Sequence, residues 1–200
     1  KDIFKDFKHR HDLKLNCWGV QFILPKNRKM TITLPTNLKI IDFEAHDKAE
    51  AFISKRQHFD NFLVEKAKAC PNINLVEGVD IQGFEELENG FLLKNEEGEV
   101  LYETTLLIAA DGALSRFAKQ FGNIHKENEH HVGAIRAYYT GLENADPHNF
   151  LELHYLKEFF PGYLWIFPLP NGGANVGAGM RTDKISEQRV NLKKELDRIL

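Results

Sequence analysis

The stretch Tyr163-Leu164-Trp165-Ile166-Phe167-Pro168, followed by Asn171-Gly172-Gly173 and then Gly177-Ala178-Gly179, leaves few options for its local fold. On an extended strand, side chains at i, i+2 and i+4 share a face, so Tyr163, Trp165 and Phe167 line one side. Asn-Gly-Gly is turn chemistry. The small, glycine-rich return over 174–180 reads as a second strand whose backbone can lie close to something flat. The hairpin therefore sets an aromatic wall beside a bare backbone. Such a wall suits a planar cofactor or a long apolar ligand. It can equally fill a core, because aromatic residues favour strand faces in general.

A second constraint is the run 104–110, Thr-Thr-Leu-Leu-Ile-Ala-Ala, which is apolar without alternation. That pattern predicts a strand buried on both faces, as in a parallel sheet. It leads into Asp111-Gly112, and 113–122 reads as a short helix closed by Gly122. In open α/β sheets ligands bind beyond the carboxyl ends of the strands, where a carboxylate can accept a hydrogen bond from a ribose hydroxyl. Taken alone, Asp111 reads first as a turn former.

The remaining pattern supplies strands over 15–24, 29–34 and 38–43, with turns at Pro25-Lys26-Asn27 and Pro35-Thr36-Asn37. Ser54 is the expected N-cap of a helix to about residue 69, which buries Phe59, Phe62, Leu63 and Ala67. Asn74-Leu75-Val76 reads as a short parallel strand. A meander follows over 79–86, 91–94 and 100–103. Beyond a polar linker after Gly122, strands are expected over 132–141, 150–156, 163–168 and 173–180. An amphipathic helix over 186–200 ends the chain.

Composition excludes several classes. A formal net charge of −3 gives no electrostatic reason to expect a nucleic-acid partner. Cys17 and Cys70 form no Cys-x-x-Cys and read as reduced thiols. No apolar stretch approaches membrane-spanning length. The nine histidines show no helical i, i+4 pair and no zinc-like spacing with cysteine, so no metal site is expected. Ser115 reads as a helix start, and no Ser-His-Asp arrangement suggests itself.

Three segments together resemble one family. The run 109–116, Ala-Ala-Asp-Gly-Ala-Leu-Ser-Arg, is similar to the Asp-Gly motif of flavoprotein hydroxylases and their relatives. Tyr-x-Trp-x-Phe-Pro, eight residues and Gly-x-Gly resembles the signature of the geranylgeranyl reductase branch. Arg56-Gln57-His58-Phe59-Asp60-Asn61-Phe62-Leu63 looks like that group's Arg-x-x-Phe-Asp-x-x-Leu segment. The resemblance covers roughly 15–181. The family's N-terminal Gly-x-Gly-x-x-Gly loop, which holds the FAD pyrophosphate at a helix N-terminus, is not found, nor is its later Gly-Asp motif. The resemblance thus implies an internal fragment of a longer protein, which on its own would hold FAD weakly.

The fold class so implied is α/β (α+β in detail): a partial FAD-binding domain, 54–122, and a mostly antiparallel substrate sheet assembled from 12–53 and 123–200. The implied activity is an FAD-dependent oxidoreductase that saturates carbon-carbon double bonds of a prenyl chain on a lipid, quinone or pigment precursor. Flavin chemistry needs no catalytic side-chain triad. The resemblance places Tyr163, Trp165, Phe167, Pro168, Gly177 and Gly179 around the prenyl chain. It places Arg56, Asp111 and Gly112 at FAD, with NADPH as a candidate electron donor. Arg56 could instead pair with Asp60 one helical turn on, and Arg136 and Tyr138 share a strand face that either borders the pocket or is solvated. Alternatives are an FAD monooxygenase or halogenase of the same superfamily, and an apolar-ligand binding module without catalysis. A cytoplasmic location is expected, with room for peripheral membrane contact because the substrates would be lipids.

Overall fold

The computed structural model describes residues 3–34, 51–122 and 127–200. The expected turn at Pro35-Thr36-Asn37 and strand over 38–43 lie outside the described residues. In chain order the elements are α1 (Ile3–Lys8), β1 (Lys14–Cys17), β2 (Gly19–Leu24), β3 (Arg28–Thr33), β4 (Ala51–Ser54), α2 (Arg56–Lys68), β5 (Gly83–Leu87), β6 (Gly90–Lys94), β7 (Val100–Thr104), α3 (Arg116–Phe121), β8 (Val132–Thr140), β9 (Leu151–His154), β10 (Gly162–Leu169), β11 (Gly173–Arg181), α4 (Thr182–Glu187) and α5 (Leu192–Ile199).

The contacts form two compact units, Lys1–Ala69 with Glu127–Leu200, and Cys70–Lys126. Helix α2 thus groups with the first unit, apart from the rest of 54–122. The first unit is built on a six-stranded sheet in the order β3-β2-β9-β10-β11-β8. All neighbours are antiparallel except β2 and β9, which run parallel. The four late strands and the early β2–β3 hairpin share this sheet.

Alternation along β10 and β11 gives the sheet two different faces. On one, Leu164, Ala174, Val176 and Ala178 are buried beneath Phe159 and Leu196, with Leu192 and Ile199 of α5 alongside. Apolar residues at i, i+4 and i+7 put Leu192, Leu196 and Ile199 on one stripe of α5, and Asn191 caps its start by accepting from the Lys194 amide at 3.0 Å. The expected single helix over 186–200 is instead two, because Arg189 turns into the left-handed region (φ 52°) between α4 and α5. Among the described residues, the opposite face is covered at one end. There the β1–β4 ladder sets Cys17 and Ile53 against Leu169, with Leu151 and Phe167 packed beside them. Farther out, Phe7 of α1 is fully buried among Phe52, Phe59 and Phe62, with ring centroids 5.0–5.3 Å apart.

Ser54 does not cap α2. It ends β4, and its hydroxyl donates to the Leu13 carbonyl at 2.7 Å, which ties β4 to the start of β1. Lys55 takes the cap position, with no side-chain hydrogen bond to the helix.

In the second unit β5, β6 and β7 form the expected meander. Phe84 and Phe91 pack against Phe117 of α3 at 5.2 and 5.8 Å. The unit holds no fully buried residue among those described. Two sequence expectations fail here. Residues 74–76 are not a strand, and neither is 105–110, which follows β7 as irregular chain with Leu106 74% and Ile108 82% exposed. A central strand needs a hydrogen-bonding neighbour on each edge, and none of the described residues pairs with this run. No helix among the described residues is long and apolar enough to cross a membrane.

Candidate functional site

The rest of that face of the six-stranded sheet carries an aromatic row. Tyr163, Trp165 and Phe167 do share a face, with successive ring centroids 6.2 Å apart. Two residues missed in the sequence extend it. Tyr155, just past β9, lies 5.9 Å from Tyr163, and Phe22 of β2 stacks on Tyr155 at 6.4 Å. The Tyr155 amide donates to the Ile23 carbonyl at 2.9 Å, which holds the two strands' aromatics in step. Tyr155 lies within the strand expected over 150–156, in step with Leu151 and Leu153, but no local signal sets it beside Tyr163. Phe22 did alternate in its strand, yet only the β2–β9 pairing, remote in sequence, brings it here.

The strand register places Gly179 opposite Tyr163, Gly177 opposite Trp165 and Asn175 opposite Phe167. The flat object over the glycine backbone is therefore Trp165 itself: a β-carbon at position 177 would collide with the indole and with the Ile135 carbonyl. The indole nitrogen donates to Asn175 Oδ1 at 3.2 Å, which fixes the ring along the row. Gly179 is less confined, the nearest atom to an added β-carbon being the Ala134 Cβ at 3.2 Å. It borders an apolar pocket of about 250 Å³ formed with Tyr155, Phe160, Pro161, Tyr163 and Met180. At the pocket rim Arg181 donates to both carboxylate oxygens of Asp183, at 3.1 and 2.6 Å, so its charge is already matched.

Pro168 does not join this group. Strand alternation turns it to the other face, where it is buried and lines a separate recess of about 110 Å³ with Ile166, Phe150 and Leu142. Arg56 opens α2 with its side chain exposed. Its Nε donates to both carboxylate oxygens of Asp60 at 3.0 Å, the helical pairing weighed in the sequence. Asp60 holds the guanidinium proton more firmly than usual.

Asp111 and Gly112 belong to the second unit and form a self-contained turn. Gly112 sits at φ +85°, a conformation that glycine adopts at little cost. Its carbonyl accepts from the Ser115 amide at 3.0 Å. Asp111 Oδ2 accepts from the Arg116 amide at 3.0 Å, and Ser115 caps α3 by accepting from the Ala118 amide at 2.9 Å. The Ser115 hydroxyl, aided by the Arg116 and Phe117 amides, holds the Asp111 carboxyl below its ordinary range. A pocket of about 420 Å³ lies beside Asp111, walled by Val79, Phe84, Leu107 and Ile108.

Among the described residues, one exposed group of metal-capable side chains gathers, Glu127, Glu129 and His130, and it is remote in character from the apolar row. Burial pushes the Cys17 thiol above its usual range, consistent with an inert core residue.

Comparison with known proteins bears on this arrangement. No model of a known protein family matches the chain. Over 158 residues it is 29% identical to digeranylgeranylglycerophospholipid reductase 1 of Methanopyrus kandleri, covering 78% of this chain and 40% of that protein. It is 29% identical over 164 residues to the digeranylgeranylglycerophospholipid reductase of Methanocaldococcus jannaschii, covering 80% and 38%. The chain thus spans less than half the length of these curated relatives. Among solved structures, a geranylgeranyl bacteriochlorophyll reductase-like protein of Thermoplasma acidophilum matches 100% of the chain and 49% of its own, with a TM-score of 0.69 at 20% identity. A flavin-dependent halogenase matches 99% and 34%, with a TM-score of 0.68 at 16% identity. The chain is related in sequence to reductases of the geranylgeranyl type and has the mixed α/β fold of flavin-dependent enzymes.

Proposed function

We propose that this chain is part of an FAD-dependent oxidoreductase of the geranylgeranyl reductase type, and that the open aromatic face holds the isoprenoid chain to be reduced. The observation that carries this reading is the row Phe22-Tyr155-Tyr163-Trp165 beside an almost wholly apolar pocket, in a sheet whose other face packs over β10 and β11 against Phe159 and Leu196. Tyr163 is still 40% exposed, so the row is a surface with apolar area left to cover. Covering one aromatic side chain is worth roughly 1.5–3 kcal/mol, so a chain of several isoprene units gains affinity without polar contacts.

The flat, half-buried row also suits a planar ring. A bound reduced flavin would supply hydride to a carbon-carbon double bond. This chain's residues orient the acceptor and exclude water. Trp165, locked by Asn175, gives the row a fixed plane, and Tyr163 and Tyr155 close the pocket end. Asp111, Gly112 and Arg56 remain the proposed cofactor contacts, with NADPH as the proposed electron donor. A prenyl-lipid substrate favours a cytoplasmic protein that visits the membrane surface.

The halogenase among the fold neighbours supports a second reading, an FAD monooxygenase or halogenase acting on an aromatic compound. The full-length protein separates the two. Trp165→Ala is expected to raise the KM for a prenyl substrate at least tenfold while leaving flavin content unchanged. Unaltered prenyl turnover by that variant, or turnover of aromatic compounds alone, rejects the first reading.

A further inference from the structure

The open face also carries charge, at the β8 edge. The register runs Arg136, Gly177, Trp165, Leu153 and Phe22 across five strands in one lateral line. Gly177, between Trp165 and Arg136 in this line, has no side chain, and the Trp165 indole lies over it. Tyr138, two residues on, shares that face. The Arg136 guanidinium carbon lies 5.7 Å from the Tyr138 ring centroid. Lys55 reaches the same ring from the start of α2, with its Nζ 5.3 Å from the centroid.

Two cations held against one ring repel each other. The ring attracts each through its quadrupole but neutralises neither. Arg56 and Arg181 are matched by Asp60 and Asp183. Among the described residues, Lys55 and Arg136 have no such carboxylate. An anion at this position would relieve the repulsion. A phosphate fits best, because guanidinium binds it through two parallel hydrogen bonds and ammonium adds a point charge.

We infer that Lys55, Tyr138 and Arg136 form a head-group site for a phosphorylated prenyl ligand whose tail lies on the Trp165 row. This rests on the proposed isoprenoid-binding reading of that row. The site makes the ligand amphipathic by requirement: the cations hold one end at the sheet edge and the aromatics hold the rest, which sets how far the chain reaches.

The test compares geranylgeranyl diphosphate with uncharged geranylgeraniol, each titrated against the full-length protein by calorimetry. The wild type should bind the diphosphate about tenfold or more tighter than the alcohol. Lys55→Gln with Arg136→Gln should abolish that preference and leave alcohol binding unchanged, and Lys55→Arg with Arg136→Lys should restore it. A preference that survives the neutral double variant overturns the inference. So does loss of FAD retention in place of the preference, which would put the pair in the cofactor site. If the wild type binds the alcohol and gains nothing from the diphosphate, the head-group site alone fails. If it binds neither, the isoprenoid face fails with it.

Discussion

Trp165 and Gly177 face each other across β10 and β11, and the indole occupies the space a side chain at 177 would need. A glycine that invites close approach is thus filled by the protein's own ring, and the surface offered to a ligand is the outer side of that ring.

Gly177→Ala should therefore disturb the row more than Gly179→Ala. The added methyl meets the indole on one side and the Ile135 carbonyl on the other. Overpacking of this kind costs about 1–3 kcal/mol. Urea denaturation should show that loss, with a shift in tryptophan emission in the native state. Gly179→Ala meets its nearest neighbour at 3.2 Å and should cost clearly less. Equal losses at the two positions would contradict the packing described.

The packed face makes a separate prediction. Leu196 is 2% exposed between α5 and the sheet. Leu196→Ala removes buried methyl groups and leaves a cavity, at a cost of about 2–5 kcal/mol. Prenyl-ligand affinity measured well below the unfolding transition should be unchanged, because the open row lies on the other face.

The Asp111 turn predicts a pH dependence. The folded carboxyl titrates below its ordinary value of 3.8, chiefly through the Ser115 hydroxyl. A lowered folded pKa gives stabilisation that is present above the unfolded value and is lost as pH falls through the folded one. The protection of α3 amides, relative to the random-coil exchange rate at each pH, should therefore fall specifically below about pH 4. In Asp111→Asn that acid-dependent step should vanish. A change in protection between pH 5 and 7 in its place would assign the titration to another group.

The two halves of the chain differ in how much their residues disclose. The β10–β11 hairpin was legible because alternation, turn and glycines lie within twenty residues and all act locally. The shared face of Tyr163, Trp165 and Phe167 followed from strand period alone, and the same period puts Pro168 on the other face, which the motif resemblance had obscured. The run 105–110 was misread for the opposite reason. An apolar string states that side chains avoid water, but a strand exists only where a neighbour pairs with it, and that neighbour is not local. The same holds for Lys55 and Phe22: each reaches the open face through pairings across more than eighty residues, and neither carries a motif of its own. Helix α4–α5 broke where Arg189 adopted positive φ, a choice that residue type alone does not signal.

The most direct measurement uses the full-length protein, reduced anaerobically with dithionite and mixed with geranylgeranyl diphosphate while its visible spectrum is followed. The proposed reductase should reoxidise a bound flavin without oxygen, and the product should gain two hydrogens for each double bond reduced. A flavin that stays reduced until oxygen is admitted, with the prenyl chain unchanged, would contradict that function and favour the monooxygenase or halogenase.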